Sequence, residues 1–91
     1  MRMTARAAIL AYLAGRSPGC YCEADIAARV TASGRLAHPP ASVHCELEHM
    51  ASPSAGLLVD SDVDGQTGDL VWYATPAGIA RWRMDGSAYI P

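Results

Sequence analysis

The chain of 91 residues is long enough for one small folded domain, and its hydrophobic content of 51% excludes an intrinsically disordered segment. Its formal net charge is −2 and its seven basic residues are all arginine. These arginines are scattered along the sequence, so no local run of cations marks a nucleic-acid-binding surface. No apolar run has the length of a membrane-spanning helix. A core of this size is modest, so we expect a homodimer or a tight scaffold to add stability.

The N-terminal segment is predicted to form a helix from Thr4 to about Ala14. Thr4 is a suitable N-cap and Gly15 is a stop signal. Helical spacing gives this helix a buried stripe made of Ile9, Leu10 and Leu13. The charged and then apolar start invites comparison with a signal peptide, but its apolar part is short, rich in alanine and followed by GRSPG rather than a cleavage site. We therefore interpret it as a helix of the mature protein and expect a cytoplasmic location.

Two further helices are predicted, with a segment rich in turn residues between them. The second helix runs roughly from Glu23 to Val30 and follows CYC, which is too short for more than a bridging strand. TASGRLAHPP then separates it from the third helix, because its two prolines prevent a continuous helix. The third helix begins after Pro40. At about 100° per residue, its core stripe consists of Val43, Leu47 and Met50.

The next segment, LLVDSDVDGQTGDLVWYAT, predicts a β-hairpin. Apolar and polar residues alternate in its first half, LVWY has high strand propensity, and DGQTGD between them is a cluster of turn residues. Thr75 and Pro76 then open a fourth helix as its cap and first helical residue. We expect Trp72 in the second strand and Trp82 in this last helix to be buried core anchors. The short tail of residues 85–91 is either loose or docked on the domain.

This order of elements (helix, short strand, helix, helix, hairpin, helix) is that of a winged helix-turn-helix domain. SVHCELEHMASPSAGLLV resembles the junction between the recognition helix and the first wing strand in MarR-type and PadR-type regulators. WYATPAGIARW resembles their second wing strand and the helix after it. The resemblance covers about residues 4–84. It implies one α+β domain with a three-helix core, a two-stranded wing and a C-terminal helix, and it implies DNA binding.

Two features depart from that family. The connection between the second and third helices is longer than a tight turn, and the third helix lacks the Arg, Lys, Asn or Gln that match base edges in the major groove. Its outward face instead carries a serine, a cysteine, a glutamate and a histidine. With two arginines placed to meet the DNA backbone, the candidate residues for binding DNA or another partner are Arg29, Arg35, Ser42, Cys45, Glu48 and His49.

Metal binding and catalysis are both disfavoured by the residue spacing. Cys20, Cys22, Cys45 and His49 include the ligand types of a zinc site, but Cys-x-Cys on a strand is not the usual two-residue-spaced knuckle, and in a winged helix the two pairs lie apart. His44 and Cys45 point about 100° apart on a helix and cannot act as a base and nucleophile pair. We therefore expect reduced thiols, no metal, no cofactor and no enzymatic activity.

Two functions are consistent with these observations. The first is a small regulator that binds DNA as a homodimer, through its arginines and the start of the third helix. The second is an interaction module, for example a phage or mobile-element accessory inhibitor, that has lost DNA binding. It is favoured by acidic residues on the third helix and the hairpin, because each would repel phosphate: Glu46, Glu48, Asp60, Asp62, Asp64 and Asp69. Such a module would dock on a protein with a basic surface.

Overall fold

The computed structural model describes residues 4–32 and 43–86, which fold into an α+β arrangement. Four α-helices and a three-stranded antiparallel sheet are present in these ranges, which confirms the predicted α+β class. In chain order the elements are α1 (Ala5–Gly15), β1 (Tyr21–Cys22), α2 (Glu23–Ala32), α3 (Val43–Met50), a 3-10 turn (Pro53–Ala55), β2 (Val59–Val63), β3 (Leu70–Ala74), α4 (Pro76–Arg81) and a final π-type turn (Trp82–Gly86).

Helix α1 is the central element of the core. Its N-terminus is capped as predicted, because the Thr4 hydroxyl accepts a hydrogen bond of 3.1 Å from the Ala7 N–H. Every residue from Ala8 to Ala14 is buried, so the helix is covered on all sides rather than along one stripe. Its alanines allow α2, α3, α4 and the sheet to approach closely around it. In the described part of the chain, no helix combines the length and apolar character needed to cross a membrane.

The predicted core stripe of α3 is confirmed. Leu47 and Met50 are fully buried, while Val43 is half-buried and packs against the core. Ile26 of α2 is also fully buried among them. One predicted boundary differs, because α2 continues past Val30 to Ala32. The predicted start of α3 after Pro40 lies outside the described residues.

The predicted hairpin is confirmed, and β1 joins it to give the strand order β1-β3-β2. In this register one face of the sheet turns towards the helices, with Val59 opposite Ala74 and Ser61 opposite Trp72. Trp72 is 4% exposed, as expected for a core anchor. The other face carries Asp60 and Asp62 and points away from the core.

The hairpin begins two residues later than the apolar pattern predicts. Gly56 adopts a left-handed conformation with φ of 97°, and Leu57 follows with φ of 54°. The Leu57 N–H donates back to the Ser52 carbonyl at 3.1 Å, so this leucine closes the turn after α3 and is half exposed. The strand pattern therefore becomes effective only from Val59.

Helix α4 begins as predicted and lies close to the start of the hairpin. The Thr75 hydroxyl accepts a hydrogen bond of 3.0 Å from the Gly78 N–H and donates to the Leu57 carbonyl at 2.5 Å. Trp82 follows the helix, packs against the core and is only partly buried, so its expected burial is realised less fully than that of Trp72. Its indole ring lies beside Gly15 at the end of α1.

Candidate binding surface on helix α3

The outward face of α3 carries the predicted side chains that the structure describes. Cys45, Glu48 and His49 are all exposed on it, and Arg29 is exposed near the end of α2. Arg35 and Ser42, the remaining predicted site residues, lie outside the described residues. The exposed face has one ordinary hydrogen-bond donor, His49, among these three side chains, which is few for reading bases directly.

The first glutamate of α3 is neutralised from a neighbouring helix. Arg6 of α1 donates through Nε to Glu46 Oε2 at 3.1 Å, and the two side chains are 48% and 31% exposed. An ion pair this exposed contributes little to stability. Its effect is electrostatic, because the positive charge of the Arg6 guanidinium offsets the negative charge that the Glu46 carboxylate would present to a ligand.

The second glutamate of α3 belongs to a bridge centred on His44. The Nδ1 atom of His44 contacts Glu23 of α2, and its Nε2 atom contacts Glu48, one turn further along α3. Both ring nitrogens can donate only when the imidazole is protonated. The hydrogen bond to Glu23 is the main reason that the pKa of His44 lies above its ordinary value of 6.5, and the charges of both carboxylates act in the same direction.

The bridge also includes the sheet. Trp72 of β3 donates its indole N–H to Glu23 Oε1 at 3.2 Å, and the His44 ring meets the Trp72 ring edge-on with centroids 6.5 Å apart. Glu23 therefore joins α2, α3 and β3 at one point. The sequence analysis missed this role, because Glu23 lies 21 residues from His44 and 49 residues from Trp72 along the chain.

The aspartates of the hairpin differ from the glutamates of α3. Asp60, Asp62 and Asp64 each accept a hydrogen bond of 2.8 Å from a nearby backbone N–H, of Ser61, Val63 and Gln66 respectively. The ion pairs seen within residues 4–32 and 43–86 involve glutamates, and none of them includes these three aspartates or Asp69. Tyr73 donates its hydroxyl proton to Asp60 Oδ2 at 3.4 Å, and that nearby charge is the main cause of its raised pKa.

An open groove lies between the hairpin and the helices. It has a volume of about 420 Å³ and is lined by Cys22, Glu23, Ala24, His44, Asp69 and Leu70. Two members of the charged bridge, Glu23 and His44, and an exposed leucine of the hairpin therefore line the same groove. Of these lining residues the sequence analysis considered Cys22 and His44 only for metal binding or catalysis.

The described cysteines and histidines do not gather into a metal-ligand set. Cys22 pairs with Val71 on the sheet face that points away from the helices, whereas Cys45 and His49 lie on α3. Among the described residues, no three His, Cys, Asp or Glu side chains lie close enough together to hold a metal ion. No disulfide joins the three cysteines, all of which the structure describes.

No protein-family model, curated protein or solved structure matches the chain, so the geometry of this surface carries the functional argument.

Proposed function

We propose that this chain is a winged-helix protein that binds DNA through α3, with the β2–β3 hairpin as its wing. The proposal is supported by the order of the elements and by the sheet order β1-β3-β2, in which the hairpin packs beside the short strand that precedes α2. In this arrangement α3 lies at the surface and leaves one long side uncovered by the rest of the described chain. An exposed helix of this kind fits the major groove of DNA.

The observation that carries the proposal is the pairing of both glutamates of α3. Glu46 lies against Arg6, and Glu48 lies against His44. A duplex that approaches α3 would therefore meet one carboxylate paired with a guanidinium and a second that shares the His44 imidazole with Glu23. Protonation of His44 offsets part of this negative charge, which weakens the electrostatic objection to DNA binding by this helix, because uncompensated carboxylates repel phosphate.

Few cations are available for phosphate contacts, so we expect the affinity for DNA to depend strongly on pH and salt concentration. Arg29 of α2 and His49 of α3 are exposed, and we expect Arg35 and Ser42 of the preceding segment to add contacts. Protonation of His44 lowers the negative charge next to α3. Binding is therefore expected to strengthen as pH falls through the raised pKa of His44.

A direct test is a fluorescence-anisotropy titration of labelled duplex DNA of mixed sequence at low salt. Arg35→Ala is expected to weaken binding to all sequences about equally and to reduce the salt slope by about one unit. Arg16→Ala is the charge-matched control, since its guanidinium lies 4.2 Å from the centre of the Tyr12 ring. Equal losses for the two variants would show that net charge alone, and no defined surface, attracts the DNA.

The second candidate function is a protein-interaction module that does not bind DNA. The observation in its favour is the set of hairpin aspartates without ion-pair partners in the described ranges, because an acidic wing would be repelled by the duplex. The two functions differ in the sign of one substitution. Glu48→Gln is expected to tighten DNA binding under the first, and to weaken a complex with a basic protein under the second.

A further inference from the structure

We propose that the groove beside the hairpin binds a protein segment in which an aliphatic side chain is flanked by arginine or lysine. This groove is the one lined by Cys22, Glu23, Ala24, His44, Asp69 and Leu70. The proposal gives the second candidate function a surface and a partner chemistry. It does not depend on contact between α3 and DNA, so both activities can belong to the same protein.

The apolar part of the surface is a cross-strand pair. Leu70 begins β3 and Val63 ends β2, directly opposite it in the sheet register. They are 41% and 60% exposed, and they share a sheet face with Trp72 but extend beyond the covered core. Leu70 lines the groove and Val63 lies next to it in the sheet, so the two exposed aliphatic side chains provide a defined contact for one apolar residue of a partner.

The polar part of the surface selects a cationic partner. Asp64 and Asp69 are held together at the turn, because the Asp64 N–H donates to the Asp69 carbonyl at 2.8 Å. Glu23 also lines the groove and shares one carboxylate oxygen with His44 and Trp72. Neither aspartate takes part in the ion pairs seen within residues 4–32 and 43–86. An arginine or lysine next to the aliphatic residue would supply that missing charge.

The same charges exclude two other occupants. A DNA backbone would bring phosphate to Asp64 and Asp69, and a second copy of this chain that used the same groove about a two-fold axis would bring a second acidic groove next to the first. Both arrangements place like charges together. A basic segment is the occupant that the charge of the groove favours.

The partner is expected to enter the groove and not to extend the sheet. Because the Asp64 N–H points towards β3, the alternation of an antiparallel ladder directs the N–H groups of Ser61 and Val63 towards the open edge of β2. The Asp60 and Asp62 carboxylates accept hydrogen bonds from these two groups. The edge strand is therefore already capped against the addition of another strand.

The experiment is a selection of random peptides, displayed on phage, against the full chain, with prior depletion on a Leu70→Ser/Asp69→Asn double variant. Enriched peptides are then synthesised and titrated by anisotropy against single variants. We expect enrichment of peptides with an aliphatic residue flanked by Arg or Lys. We expect each single variant, Leu70→Ser or Asp69→Asn, to weaken their binding about tenfold. Leu57→Ser and Asp25→Asn are matched controls, because both residues are exposed at other places on the chain.

Several results would overturn the proposal: no enrichment, enrichment of peptides without cationic residues, or affinities that the controls lower as much as the groove variants. Circular dichroism melts of each variant show whether a loss of binding comes from unfolding. The low-salt DNA titration is run on the same variants. A groove that binds no peptide while wild type binds DNA rejects this proposal alone, and the reverse pattern rejects only the DNA contact.

Discussion

Replacing Gly78 with alanine should destabilise the protein, although the same change normally stabilises a helix. Gly78 lies inside α4, where alanine is favoured over glycine by about 1 kcal/mol on intrinsic propensity. A Cβ atom at this position would lie only 1.9 Å from the Leu58 carbonyl oxygen, whereas real Cβ contacts are essentially never shorter than 3.0 Å. Helix α4 and the chain leading into β2 must therefore separate by about 1.1 Å, the difference between these two distances.

The cost of that separation can be worked from the contacts around it. Overpacking of this kind costs about 1–3 kcal/mol. The Leu58 carbonyl also accepts a hydrogen bond of 3.1 Å from the Thr75 N–H. Weakening this hydrogen bond costs a further 0.5–1.5 kcal/mol, roughly. Together these terms exceed the propensity gain, so Gly78→Ala is expected to lower the free energy of unfolding by about 1–3 kcal/mol. The melting temperature should fall by at least about 4 °C.

The assay is urea denaturation followed by tryptophan fluorescence, with Gly65→Ala as the matched control. Gly65 lies in the hairpin turn, and a Cβ atom there has no neighbour within 4 Å. Its φ is not positive, so alanine is expected to stabilise the protein by about 0.4–1 kcal/mol through the unfolded chain. If Gly78→Ala were as stable as wild type, the close approach of α4 to Leu58 would be wrong, and the docking of this helix on the hairpin with it.

Three further predictions concern the core, the bridge and the indole rings. Leu47→Ala should cost about 2–4 kcal/mol in urea denaturation because this side chain is fully buried, whereas His49→Ala on the exposed face should change stability little; similar values would show that the helix is rotated. Because the pKa of His44 is raised in the folded state, its protonation stabilises the protein fully below pH 6.5, and this stabilisation is lost as pH rises through the raised pKa. His44→Gln should therefore make the melting temperature depend less on pH above 6.5. An unchanged dependence would contradict the bridge. In a Trp82→Phe variant, the buried Trp72 should emit at short wavelength when folded and shift to longer wavelength on unfolding, and native emission typical of an exposed indole would count against the packing of β3.

Much of the fold could be predicted because local chemistry determines it. Thr4 and Thr75 are threonines at helix starts, and both accept the predicted capping hydrogen bonds. The helical spacing of Leu47 and Met50 correctly identified the buried side of α3, since an isolated amphipathic helix has only one apolar face to bury. The hairpin followed from alternation and a cluster of turn residues.

The positions that sequence analysis misplaced depend on the rest of the fold. Leu57 belongs to the strand by composition, but the left-handed turn at Gly56 places it before the sheet begins. Trp82 is an aromatic residue of the last helical segment, yet its burial depends on how much of α1 remains uncovered there. Neither outcome can be obtained from the local pattern of apolar residues.

The electrostatics of the candidate site could be predicted least. Sequence analysis treated Glu46 and Glu48 as charges that repel phosphate, and it had no means of assigning their partners. Arg6 lies 40 residues from Glu46, and His44 meets Glu23 only because α2 and α3 pack together. Charge compensation of this kind depends on tertiary contacts, whereas exposure on a helix face depends on spacing alone.

The most direct test of the proposed function is the affinity of wild type and of Glu48→Gln for labelled duplex DNA at low salt. The two proteins are measured side by side at about pH 6 and again at about pH 8. If α3 contacts DNA, wild type should bind, its affinity should rise at the lower pH, and Glu48→Gln should bind more tightly because a carboxylate beside the phosphates is removed. Arg35→Ala should weaken DNA binding in both the wild-type and the Glu48→Gln background. If neither wild type nor Glu48→Gln binds DNA at either pH, α3 is not a DNA-reading helix and the proposal is rejected.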